Sequence, residues 1–150
     1  MNKPKQKGTR NETRRVRAWH DAGVNAGRLA EGGLHDLGDL WVGNYPHGPG
    51  GDRGWIEEAK ERANLNPHRT LHDAIRKAGH PRVLLSHKRL TRKDGNQRRT
   101  PDGEPEVVVV RPDVAAVLLR AFLELEAERP VFVDGLWAQH CPDGGGESLT

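Results

Sequence analysis

The chain has 150 residues, 34% of them hydrophobic and 30% charged, and a net charge of +3. That length suits one domain of ordinary size. The longest apolar runs, 107–110 and 114–119, fall far short of the roughly 20 residues of a membrane span. The single cysteine, Cys141, excludes a disulfide scaffold and any Cys₄ or Cys₂His₂ zinc finger.

The first eight residues are basic and polar and are expected to form a disordered arm. Thr9 and Glu12 make the S/T-x-x-E pattern of a capping box, which predicts a helix from Thr9. Val16 and Trp19 continue its apolar face, and Gly23 ends it. Short strands are expected within 24–30 and over 36–42, followed by a glycine-rich loop, 43–54, and a third strand over 55–60. Asn66-Pro67 opens a second helix, with Asn as cap and Pro at the first position. Leu71, Ala74, Ile75 and Ala78 give that helix one buried face, and Gly79 closes it. A strand over 82–86 leads into a basic loop, 88–99, around the turn signal Asp94-Gly95. Four valines in 106–111 read as a strand covered on both faces. A last helix, 114–128, carries Val114, Val117, Leu118, Phe122 and Leu125 on one face, and Pro130 stops it. Residues 130–150 are expected to be a partly disordered tail. The order α-β-β-β-α-β-β-α implies an α/β sandwich, a small mixed sheet between helices.

Charge is unevenly placed. Residues 1–20 and 82–100 each carry seven Lys/Arg against one acid, whereas residues 101–150 carry three against ten. Two basic stretches on an acidic frame point to a polyanion, most simply DNA. The expected phosphate contacts are Lys3, Lys5, Lys7, Arg10, Lys88, Arg89, Arg92, Lys93, Arg98 and Arg99. The N-terminus lacks the apolar core of a signal peptide, so a cytoplasmic location and no membrane partner are expected.

Glu58-Ala59-Lys60 in the third strand, with Asp39 upstream, is the candidate chemistry. Strand side chains alternate, so Glu58 and Lys60 share a face while Ala59 points the other way, where a small residue can sit under a helix. Two neighbouring carboxylates repel unless a cation joins them. Mg²⁺ or Mn²⁺ takes such oxygen ligands together with water and substrate phosphate, and Lys60 would then act on the attacking water or on the charge growing at phosphorus. The same residues also fit an exposed ion pair of little energetic worth.

Lys7-Gly8-Thr9-Arg10-Asn11-Glu12, then Gly38-Asp39-Leu40, then Glu58-Ala59-Lys60 resembles the PD-(D/E)XK nuclease superfamily, and within it the Holliday junction resolvase branch of phages and actinobacteria. The resemblance covers 7–60 well and continues more loosely to about 128. It implies a restriction-endonuclease-like sandwich over 9–129 and a homodimeric, metal-dependent endonuclease of branched DNA. By the same resemblance Asp39 and Glu58 would bind metal, Lys60 would assist the water, and Glu12 would complete the acidic site or merely close its capping box. Arg28 would touch phosphate or pair with an acid. Gly38 stands where the superfamily name has proline. Glu57 competes with Glu58, which is chosen because it alone pairs with Lys60 at spacing two. The dimer contact is expected from the last helix or from 131–137. The rival expectations are a restriction or repair nuclease of the same fold and a non-catalytic basic DNA-binding protein.

Overall fold

A computed structural model describes residues 3–29, 37–93, 97–99 and 106–141. The first helix, α1, runs Lys3–Asp21. Thr9 therefore lies inside it, and its carbonyl accepts the Thr13 hydroxyl at 2.8 Å. The expected capping box at Thr9 is not formed, because the turn preceding it is already helical. The end is as expected. Gly23 has φ 75°, its N–H donates to the His20 carbonyl, and the Val24 N–H reaches back to Trp19. These are the paired bonds of a Schellman stop, which favours glycine because the left-handed conformation is costly for residues with a Cβ.

The chain divides into two units, Met1–Val110 and Arg111–Thr150. The first contains the strands β1 Ala26–Arg28, β2 Leu40–Val42, β3 Trp55–Arg62, β4 Val83–Arg89, β5 Thr91–Lys93, β6 Gln97–Arg99 and β7 Val107–Val109. Five of them form a mixed sheet in the order β1-β2-β3-β4-β7. Only β3 and β4 run parallel, and the helix α2, Pro67–Ala78, connects them, as a crossover between parallel strands requires. Asn66 caps α2 by accepting the Arg69 N–H at 3.0 Å.

Pairing settles which residues share a face. Ile56 lies beside Val83 and opposite Trp41, and it packs with Leu71 and Ala74 of α2, Val83 and Leu85 in a buried cluster. Glu58 and Lys60 are on this α2 face by alternation. The other face carries Leu40, Val42, Ala59 and Leu84, all buried, and it receives α1. The sheet is thus sandwiched between α1 and α2, the α/β layering expected from the element order.

Three local expectations change. The basic loop 88–99 contains β5 and β6, paired antiparallel, and β4 itself extends to Arg89. The turn signal Asp94-Gly95 lies outside the described residues, between two segments that pair. The valine run forms a strand that is not covered on both faces, with only Val109 packed against the core cluster. β7 is the last strand of the sheet, and Val107 and Val108 remain exposed, because an end strand lacks a second neighbour and a full layer above it. Finally, Pro130–His140, expected to belong to a partly disordered tail, is helical, and residues 142–150 of that tail lie outside the described residues.

The second unit consists of α3, Pro112–Glu128, and α4, Pro130–His140. Pro130 ends α3, since the residue before proline is disfavoured in helical conformation, and it also occupies the first position of α4, where no N–H is needed. Phe122 and Trp137 meet edge to face at 5.9 Å. Val114 and Val133 are buried, but Val117 is 69% exposed and Leu118 is also exposed. The apolar face expected of α3 is thus only partly covered, because two packed helices bury only the stripe along which they meet. Among the described residues no helix is long and apolar enough to cross a membrane.

Candidate active site

The last regular pairs between β2 and β3 set Leu40 opposite Glu57 and Trp41 opposite Ile56. One residue earlier the ladder changes. The Asp39 N–H donates to the Glu57 carbonyl at 3.1 Å, and the Asp39 carbonyl accepts from Leu29 at 3.0 Å. The Asp39 side chain takes over the next rung, where its Oδ2 accepts the Ala59 N–H at 2.8 Å. A carboxylate substituting for a backbone carbonyl is thereby held against the edge of β3. Gly38 permits this approach, since a Cβ there would run into the Ile56 side chain and stand 3.8 Å from Glu58 Oε2. A proline at this position would bring the same difficulty, a physical reason for glycine here.

Lys60 joins the group. Its Nζ lies 3.4 Å from Asp39 Oδ2 and forms a close ion pair with Glu58 Oε1. Burial by itself lowers the Lys60 pKa, but the carboxylates of Asp39 and Glu58 outweigh it and hold the ammonium above its ordinary value. Glu58 Oε2 is buried and has no hydrogen-bond partner. A carboxylate oxygen in that state is costly to keep, and it is a ready ligand for a hard cation. Two carboxylates, one of them with a free buried oxygen, suit Mg²⁺, which is commonly held by one or two carboxylates plus substrate phosphates. Among the described residues, no three His, Cys, Asp or Glu side chains gather in a metal-binding group, so any further ligands would come from water, backbone or substrate.

Of the expected site residues, Asp39, Glu58 and Lys60 are brought together. Glu12 is directed elsewhere: it lies on α1, on the opposite face of the sheet from Glu58, and accepts Arg28 Nε at 2.7 Å. Arg28 thereby takes the acid-pairing option. Arg10 is exposed on α1, which also carries Lys3, Lys5 and Lys7. Lys88 lies 3.9 Å from Glu61, and Arg89 is exposed at the end of β4. Arg92 and Lys93 are on β5, Arg98 and Arg99 on β6, with Arg92 at the position opposite Arg98.

Glu57 is the residue whose importance the spacing argument misses. It is completely buried. Arg15 Nε donates to its Oε1 at 2.6 Å and Arg15 Nη2 to its Oε2 at 3.4 Å. The Trp19 indole N–H and the Ser86 hydroxyl supply two further short bonds. Arg15 also reaches Glu106 at 3.4 Å, and Arg14 grips both Glu106 oxygens at 2.8 Å. Burial raises the Glu106 pKa, but these arginines outweigh it and hold the carboxyl below its usual range. Two signals in the sequence point to Glu57. It shares strand parity with Ala59, the position expected under a helix, and Ser86 is a polar residue closing the apolar run Val83-Leu84-Leu85.

Comparison with protein-family models, with curated proteins and with solved structures finds no match.

Proposed function

We propose that the protein is a metal-dependent endonuclease that hydrolyses DNA phosphodiester bonds, with four-way junctions as its substrate. The observation that carries this reading is the meeting of Asp39, Glu58 and Lys60 at the edge of β3, with Glu58 Oε2 buried and unpartnered. Asp39 and Glu58 would hold a Mg²⁺ or Mn²⁺ ion, which when bound supplies a Lewis acid and lowers the pKa of water. Asp39 is oriented by the Ala59 N–H, so its remaining oxygen is aimed by the backbone rather than by a flexible contact. Lys60 offsets one of the two carboxylate charges in the resting protein. With substrate present, its ammonium is placed to stabilise charge developing on the phosphate oxygens.

The β5–β6 ribbon supports a nucleic-acid partner. It brings Arg92 and Lys93 of β5 and Arg98 and Arg99 of β6 onto one paired ribbon, and such a concentration of cationic residues suits neutralisation of phosphates. A junction is close to two-fold symmetric and needs two cuts, so a homodimer is the natural agent.

The test is cleavage of a synthetic four-way junction with and without Mg²⁺, beside nicked, flap and linear duplexes. Cleavage confined to the junction and dependent on metal is expected. Asp39→Asn or Glu58→Gln should abolish it while leaving junction binding intact. Normal cleavage by either variant would end the assignment. Replacing Arg92 and Lys93 by alanine should flatten the dependence of log affinity on log salt, by about 0.9 for each phosphate that is no longer neutralised.

A further inference from the structure

The chain has only seven Phe, Trp and Tyr residues, yet one aromatic cluster is left partly in water. Trp41 lies opposite Gly27 of β1, and its indole occupies the space over that glycine, with Nε1 2.6 Å from where a Cβ would stand. Tyr45 meets Trp41 edge to face at 5.9 Å, and His47 meets Tyr45 in the same way at 5.7 Å. Tyr45 is 48% exposed, and His47 is exposed as well. The row therefore begins on the sheet and runs outward into solvent.

The loop carrying it is held in shape by its own backbone. The Gly48 N–H donates to the Tyr45 carbonyl at 3.0 Å, Gly51 to Gly48 at 3.1 Å and Arg53 to Gly50 at 2.9 Å. Arg53 adds an exposed cation to the same loop. Covering Gly27 accounts for Trp41. It does not account for Tyr45 and His47, which extend the aromatic surface away from that glycine.

The row starts near the candidate active site, at Trp41, and leads away from it through Tyr45 and His47. Trp41 pairs with Ile56, and Ile56 and Glu58 are neighbours on one face of β3, about 7 Å apart along the strand. We propose that Trp41, Tyr45 and His47 form a stacking platform for unpaired nucleobases of the strand whose phosphate lies at Asp39, Glu58 and Lys60. This rests on the nucleic-acid reading above and deepens it, because it favours DNA whose pairs open on binding, as the crossover pairs of a junction can, over continuous duplex. The physical basis is that every base has a π-face, so a platform of aromatic rings with a nearby arginine binds single strands with little regard to sequence.

The experiment is equilibrium binding of the full chain, in EDTA and without cleavage, to a labelled twelve-nucleotide oligothymidylate and to a blunt duplex. Tyr45→Leu keeps apolar bulk and removes the ring, whereas Tyr45→Phe keeps the ring. Circular dichroism and a thermal melt confirm the fold of each. Tyr45→Leu should weaken oligothymidylate binding about 10-fold, the scale of removing one base–aromatic stack. Tyr45→Phe should match the wild type, duplex affinity should stay unchanged, and the salt slope should not move because every phosphate remains neutralised as before. Unchanged oligothymidylate affinity in Tyr45→Leu, equal weakening in both variants, or equal weakening on both nucleic acids would each overturn the platform. The endonuclease reading fails separately: a Glu58→Gln protein that still cleaves overturns that site while leaving this binding result standing.

Discussion

Glu57 and Glu58 are adjacent in sequence, on one strand, and chemically the same, yet the fold treats them in opposite ways. Glu57 points toward α1, where Arg15, Trp19 and Ser86 satisfy both oxygens and no water reaches it. Glu58 points toward the opposite face and shares Lys60 with Asp39, and one of its oxygens is left buried without a partner. A fully satisfied buried carboxylate is a fastening. One with an oxygen to spare is a binding group held at some cost to stability. The difference teaches that a pleat one residue wide separates a fastening from a carboxylate to which a chemical role is here proposed.

The largest expected effect strikes the fastening. Glu57→Ala leaves Arg15 as a buried cation without its main partner, and removing one half of a buried pair costs about 3–5 kcal/mol. Urea unfolding would measure it, and a loss below about 1 kcal/mol would break the contrast between the two glutamates. Replacing both partners, Glu57→Leu with Arg15→Met, should recover most of that loss, since an apolar pair of similar volume is often neutral or better.

Lys60→Ala tests the other face. It should lower the single-turnover cleavage rate by about 100-fold or more, the scale for losing one electrostatic stabiliser of the transition state. The chain should remain folded by circular dichroism. With the ammonium gone, Asp39 and Glu58 face each other unscreened, so Mg²⁺ should raise the melting temperature of this variant. A Lys60→Ala protein that cleaves at the wild-type rate would put Glu58 back among ordinary ion pairs.

Ser86→Ala sharpens the comparison. Glu57 loses one hydrogen bond and keeps three, two from Arg15 and one from Trp19, so destabilisation of about 1.5–3 kcal/mol is expected, the range for a hydrogen bond to a charged group. Cleavage chemistry should be untouched. A change in rate with unchanged stability would show that the two faces are coupled.

The smallest effect concerns pH. Glu106 has its pKa depressed below the ordinary 4.5. Its contribution to stability is therefore complete above 4.5 and is lost as pH falls through the lower, folded-state value. Glu106→Gln should show a constant deficit against the wild type from neutral pH down to about 4.5, shrinking below it. A deficit that grows with acid would contradict the pairing with Arg14 and Arg15.

Much of the fold is legible in the sequence because local chemistry and tertiary structure agree. Asn66-Pro67 and Gly79 bound α2 as expected because a cap, a fixed φ and a left-handed stop act within a few residues of chain. The same locality explains Gly23. The helix start expected at Thr9 falls short because a capping pattern is only one use of Ser/Thr and Glu, and both residues sit within a longer helix. Charge is the dominant signal over 88–99, and charge describes solvation and partners but is silent on backbone pairing. Residues 130–140 look like a tail when Pro130 is weighed as a stop, although proline at a first helical position is equally a start.

Alternation along β3 is enough to place Glu58 and Lys60 on one face and Ala59 on the other, because a strand's period of two is a property of its backbone. What alternation cannot supply is the content of each face. That Arg15 and Trp19 come from a helix far earlier in the chain to close on Glu57, that Glu12 turns to Arg28, and that Trp41 lies over Gly27 are decided by the packing of α1 and the pairing of β1 with β2. Such contacts join residues far apart in the chain. Their partners are selected by geometry and by the cost of burying an unpaired charge, and neither acts until the layers have met.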